Sequence, residues 1–201
     1  MWPMTSAPNS ERRSERARRA ILDAAFDLVS RKGFAKVTIE GIAAQAGVGK
    51  PTIYRWWSSK GAVVLEAMNE ELGDDFAFPD TGDIAADLTT QITAVSQRLV
   101  TGRISEAFKG VMAEAQNDAA LMKAFRETIL EPSIAECRAR LDSAVAAGQL
   151  RSDVPTDVMV DLFYAPVHYR HFLGFGDDAV RRSADLVQDV LLGLRPRPDA
   201  G

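Results

Sequence analysis

Residues 38–60 read TIEGIAAQAGVGKPTIYRWWSSK, two short helical stretches hinged on glycines, and few folds accept a pattern so compressed. Thr38 carries a hydroxyl suited to capping free backbone N–H groups, and Ile39, Ile42, Ala43 and Ala46 follow at i, i+3, i+4 and i+7, a helix with one apolar face. Gly47 supplies the left-handed conformation that closes a helix without a Cβ penalty, and Val48 fills the corner behind it. Gly49 and Pro51 suit the start of a second helix, where proline forgoes no hydrogen bond. Ile53 and Trp57, four residues apart, turn inward. Lys50, Thr52, Tyr54 and Arg55 are left on the other faces, where donors reach phosphates and base edges of a major groove. Such a pattern describes a helix-turn-helix DNA reader.

The approach to this segment is itself helical. Residues 15–32 place Leu22, Ala25, Phe26 and Val29 on one stripe, with Arg16, Arg18, Arg19, Arg31 and Lys32 elsewhere, and Gly33 stops the run. Residues 1–60 hold 11 Lys and Arg against 5 Asp and Glu, a net charge near +6; with a total of −4 the remaining 141 residues are net acidic, near −10. A polyanion is therefore drawn to one end of the chain.

The stretch LDAAFDLVSRKGFAKVTIEGIAAQAGVGKPTIYRWWSSKGAVVLEAM resembles the N-terminal DNA-binding domain of the TetR family of one-component transcriptional regulators. Two positions depart from the family pattern: Gly49 stands where serine is common and Gly41 where many members carry an acid, and both changes weaken capping modestly. The resemblance implies an all-α chain, with an N-terminal three-helix helix-turn-helix DNA-binding domain and a C-terminal helical bundle for ligand binding and dimerisation. It marks Thr38, Tyr54 and Lys60 as phosphate contacts, and Gly49, Lys50, Pro51, Thr52 and Arg55 as recognition-helix positions facing bases or their approach. Trp57 takes the family's buried aromatic position, while Trp56 either flanks a phosphate or covers the domain edge. Residues 1–13 read as a disordered tail, 14–60 as the DNA-binding domain and 61–201 as the ligand-binding and dimerisation domain.

The remainder keeps a helical period throughout. Ser58 caps a linking helix over 59–72 with Ala62, Leu65, Met68 and Leu72 inward, and DDFAFPDTGD at 74–83 reads as a boundary loop. Further helices are expected over 84–101, 104–116, 118–147, 156–173 and 178–193, with Pro132 restarting or kinking the long one and Pro166 bending the next. Phe108, Met112, Met122, Phe125 and Ile129 are candidate lining for a partly apolar small-molecule inducer, or plain core. His168 and His171 serve as a polar anchor in such a pocket or as a subunit contact; no metal and no cofactor is expected. The segment DVMVDLFYAPVHYRHFL is apolar on nearly every side, so one side faces its own core and the other, through Leu162 and Tyr169, a second subunit. The final helix helps with Val180, Ala184, Val187, Val190 and Leu191. The partners implied are double-stranded operator DNA, an inducer and a second copy of the chain.

Several classes drop out. No run approaches the roughly 18 apolar residues that span a bilayer, and MWPMTSAPNSER lacks a signal-peptide core, so no membrane association and a cytoplasmic location are expected. Cys137, the single cysteine, excludes an internal disulfide. Two alternatives stay open: a DNA-binding regulator that is ligand-independent or activating, and an all-helical enzyme with an incidental basic N-terminus. The enzyme finds no Gly-rich phosphate loop after a strand, no HExxH and no nucleophile with a recognisable partner.

Overall fold

The run ERRSERARRA is rich in strong helix formers, and in the structure, a computed structural model, it belongs to a long first helix, α1 (Ala7–Lys32). The structure describes residues 7–73, 78–100 and 103–196. Residues 7–13 are thus helical rather than part of a disordered tail, and the rest of that expected tail lies outside the described residues. After α1 come a 3-10 turn at Phe34–Lys36, then α2 (Ile39–Ala46), α3 (Lys50–Tyr54) and α4 (Lys60–Leu72). The chain divides into two compact units, Met1–Glu71 with Glu106–Ala124, and Leu72–Ser105 with Phe125–Gly201. The boundary expected at residue 60 therefore falls near 71, because α4 stays with the first unit.

The first unit closes around Leu22, Ala25, Phe26, Val29, Ile42, Ile53 and Trp57, all buried, and each large aliphatic among them contributes about 1.5–3 kcal/mol. Helix α6 (Arg103–Ala115) joins this unit from Glu106 onward, and Gly110 makes the approach possible. A Cβ at position 110 would lie 2.1 Å from Cγ of Phe34. Only a residue without one lets the aromatic ring rest on the helix backbone.

In the second unit, α5 (Ile84–Val100) packs against α9 (Thr156–Phe172), α10 (Asp177–Arg181) and α11 (Ser183–Leu194), while α8 (Glu131–Ala146) packs on α9. The single helix expected over 118–147 is instead α7 (Ala119–Phe125), a π-type turn at Arg126–Leu130 and α8. Pro132 sits in the first turn of α8 with no N–H to offer the preceding turn, and the widened turn absorbs the mismatch. The helix expected over 178–193 is likewise two, joined at Arg182; Ser183 is buried at the start of α11, with its hydroxyl 2.8 Å from that of Ser96. Helix α9 runs unbroken through Pro166.

The segment before α5 is strapped down by charge. Asp83 accepts from the N–H groups of Ala85 (2.9 Å) and Ala86 (3.2 Å), capping the helix. Asp87, buried, accepts from the Thr81 hydroxyl at 2.7 Å, the Thr81 N–H at 3.1 Å and Arg140 Nε at 2.9 Å. Burial pushes the Asp87 carboxyl up, and the hydrogen bonds from Thr81 and Arg140 outweigh it, so its pKa lies below the usual value.

Candidate nucleic-acid interface

Thr38 opens α2 in extended backbone, and its Oγ1 accepts from the Gly41 N–H at 3.1 Å. At the other end Gly47 is left-handed (φ 67°), and Val48 N–H reaches the Ala43 carbonyl at 3.0 Å, closing the helix. Gly49 is extended and caps α3 through its carbonyl, which accepts from Thr52 N–H at 2.9 Å, and Pro51 falls in the first turn. The local chemistry of these residues thus fixes the turn between the two helices.

Burial then sorts the faces of α3. Ile53 is fully buried and Trp57, one turn on, nearly so, anchoring the helix from behind. Lys50, Pro51, Tyr54, Arg55 and Trp56 are exposed together with Gly49 and Thr38, and Thr52 is half-buried. The Arg55 guanidinium lies 5.9 Å from the Trp56 ring centroid, and Trp56 tilts against Trp57 at 6.0 Å. One continuous surface carries an ammonium, a guanidinium, a phenol and an indole, donors suited to phosphates and base edges.

Two cationic side chains of this surface find partners on the chain itself. Lys60 is not left free at the surface: its ammonium donates to the carbonyls of Phe34 and Val37, both at 3.1 Å, and lies 4.4 Å from the Phe34 ring centroid. It anchors the chain entering α2. Lys50 donates to Glu40 at 3.0 Å, both side chains more than half exposed. That hydrogen bond lowers the Glu40 pKa and raises that of Lys50.

Glu66 is a support that sequence reasoning missed. Its Oε2 accepts from the Trp57 indole N–H at 2.7 Å and its Oε1 pairs with Arg18 at 2.9 Å, so one carboxylate ties the end of α3 to α1 and α4. Arg18 also pairs with Glu70 (2.6 Å) and Glu15 (3.1 Å), which withdraws it from the basic surface that Arg12, Arg13, Arg16 and Arg19 still expose.

The candidate inducer residues fall in both units. Phe108, Met112 and Met122 belong to the first unit, whereas Phe125, Ile129, His168 and His171 belong to the second. Phe108, Phe125, Ile129 and His171 are buried; the other three are half-buried. In the second unit the Tyr164 hydroxyl lies inside with the Cys137 thiol and the Gln91 amide as its polar neighbours. Burial pushes the Cys137 thiol up to about 11 and drives Tyr164 far above its ordinary value, so both stay neutral and the thiol unreactive. Burial lowers the His168 pKa, partly offset by its hydrogen bond to the Tyr164 backbone.

The candidate dimer residues divide as well. Leu162 and Tyr169 (61% exposed) share an open face of α9 with Val158, Ala165 and Phe172, opposite the buried Met159, Val160, Phe163 and Val167. Ala184 is exposed; Val180 and Val190 are half-buried. Val187 and Leu191, at 0% and 4% exposure, are core residues of their own unit, because α11 turns that stripe toward α5; Leu192, at 64%, occupies the open side instead. A groove of about 440 Å³ lies between α9 and α11, lined by Pro166, Val167, Arg170, Arg182, Leu186 and Asp189 among others, none of them a candidate inducer residue. Among the described residues no helix is long and apolar enough to cross a membrane.

A capped helix, a glycine turn and a second helix anchored by Ile53 and Trp57 beneath an exposed cationic surface make a helix-turn-helix DNA-binding element. Residues 21–67 match the model of the bacterial regulatory proteins of the tetR family, and residues 78–190 match that of a tetracyclin repressor-like C-terminal domain. The chain is 34% identical to the HTH-type transcriptional regulator YdeS of Bacillus subtilis (strain 168), over 91% of this chain and 92% of that one. It is 29% identical to the DNA-binding transcriptional repressor TetR of Mycobacteroides abscessus, over 90% and 95%. The crystal structure of the TetR family transcription regulator SCO0332 superposes with a TM-score of 0.72 at 35% identity, covering 90% of this chain and 99% of that one. The protein belongs to the TetR family.

Proposed function

We propose that the protein is a repressor that binds a pseudopalindromic operator as a two-fold homodimer and is released by a small, partly apolar inducer. The observation that carries this is the Lys50–Trp56 surface, exposed on one side and pinned by Ile53 and Trp57 on the other. The repressor reading draws on the similarity to the DNA-binding transcriptional repressor of Mycobacteroides abscessus. Dimerisation would run through the open face of α9 with Leu162, Tyr169 and Phe172, joined by Ala184 and Leu192 on α11, since an apolar stripe of this length is not left wet. Two recognition helices held roughly 34–36 Å apart enter successive major grooves, so an inducer acts by favouring a spacing that does not fit B-DNA. Moving most of the population between two such states takes about 5.5 kcal/mol of differential inducer binding. Tyr54 and Thr38 serve as phosphate contacts, and Lys50, Thr52 and Arg55 face bases.

A gel shift on the DNA flanking its own reading frame, with a salt series, tests the reading. Sequence-selective binding that weakens steeply with salt supports it. Binding indifferent to both sequence and salt refutes it.

A further inference from the structure

Between Asp27 and Glu66 the chain contains a single acidic residue, Glu40. It sits in the first turn of α2, two residues after Thr38, and its Oε1 lies 3.0 Å from Nζ of Lys50, the first residue of α3. A carboxylate on the face meant for a polyanion repels every phosphate brought near it. The pair does not explain itself through folding, because ion pairs this exposed, with side chains 51% and 64% accessible, add little stability. What the pair does is place a donor and an acceptor side by side at the start of the recognition helix. Lysine's ammonium keeps further N–H groups to give, and a carboxylate accepts on two oxygens. In the major groove a G·C pair offers O6 and N7 acceptors on guanine beside an amino donor on cytosine, the respective partners of lysine and glutamate.

We propose that Glu40 is a specificity-determining residue that reads one G·C base pair together with Lys50, the ammonium toward guanine and the carboxylate toward the cytosine amino group. The inference rests on the DNA-reading function proposed above. At a matching site the carboxylate gains a donor and the pair stays together. Where the base pair sets an acceptor, a thymine methyl or a phosphate against it, Glu40 gains no donor, and it holds Lys50 back from indiscriminate phosphate contact. The carboxylate thus lowers affinity for wrong sequences more than for the right one.

The test uses the full chain and its Glu40→Gln, Lys50→Gln and Asp142→Asn variants, the last removing an exposed carboxylate from α8 as a net-charge control. Each protein selects duplexes from a randomised library, and its affinity is then measured for the duplex enriched by the wild type and for a scrambled duplex of equal composition. Glu40→Gln is expected to bind the scrambled duplex roughly three- to tenfold tighter with little change on the enriched one. It should also lose preference at the same G·C position that Lys50→Gln loses, while Asp142→Asn behaves as wild type and all unfold at similar temperature. The proposal is overturned if Glu40→Gln tightens both duplexes equally, matches Asp142→Asn, or relaxes a position different from that of Lys50→Gln. A wild-type chain that enriches no duplex overturns the functional reading, and this inference with it.

Discussion

Replacing Gly110 with alanine tests how the DNA-reading unit is held together. The new Cβ would meet Phe34 at Cγ (2.1 Å), Cβ (2.3 Å) and Cδ2 (2.5 Å). These atoms form the root of the side chain, so a rotamer change cannot clear them, and either the 3-10 turn or α6 must move. Overpacking of a filled site costs about 1–3 kcal/mol, and the depth of this overlap places it at or above the upper end. Alanine's better helix propensity returns about 1 kcal/mol, leaving a net loss of about 2 kcal/mol. For a chain of this size that lowers the melting temperature by about 4–8 °C. Displacing Phe34 also removes the ring beneath Lys60 and loosens the carbonyls that Lys60 holds, so affinity for DNA falls in step. Calorimetry on wild type, Gly110→Ala, Phe34→Ala and the Phe34→Ala/Gly110→Ala double variant reads this directly, with Gly193→Ala, where no atom lies within 4 Å, as the open-helix control. The double variant should lose less than the sum of its parts. A Gly110→Ala protein that melts at or above the wild-type temperature refutes the packing argument.

Asp87→Ala leaves the buried Arg140 with only the exposed Asp80 carboxylate, 3.2 Å away, and should cost up to about 3 kcal/mol in chemical denaturation, at or below the low end for an uncompensated buried charge. Because the folded Asp87 pKa lies below its unfolded value, its contribution is complete above about pH 4 and is lost as pH falls through the folded value, so the two proteins should converge in acid; a gap that persists there contradicts the assignment. Leu162→Asp should yield folded monomers in light scattering, whereas Leu191→Asp, which puts a charge in the core, should lower thermal stability first; the reverse pattern would move the interface. Glu66→Ala should red-shift tryptophan emission and weaken DNA binding several-fold, while Glu66→Gln, which keeps an acceptor for the Trp57 indole, recovers most of both; equal loss in the two variants would reduce Glu66 to its charge.

The reader was legible in the sequence because its geometry is made locally. Thr38 caps the helix it precedes, Gly47 takes the one conformation that ends it, and Ile53 and Trp57 face inward by spacing alone. Lys60 was not, since its partners are 23 and 26 residues away and nothing in a lysine's neighbours shows which carbonyls it meets. Glu66 and Gly110 escaped notice for the same reason. Periodicity also identified the apolar stripe of the last helix while misplacing it: Val187 and Leu191 share a face, but a stripe does not say whether it meets α5 or a second subunit. The π-type turn ahead of Pro132 fits the sequence, because proline can only restart a helix there, not continue it.

The most direct measurement of the central claim is a hydroxyl-radical footprint of the wild type on the promoter-proximal DNA beside its own reading frame, set against a Thr52→Ala/Tyr54→Ala/Arg55→Ala variant of unchanged melting temperature. The account predicts two protected windows with centres about 10–10.5 base pairs, or a multiple of that, apart, present with the wild type and absent with the variant. Protection by the variant equal to that of the wild type would contradict it.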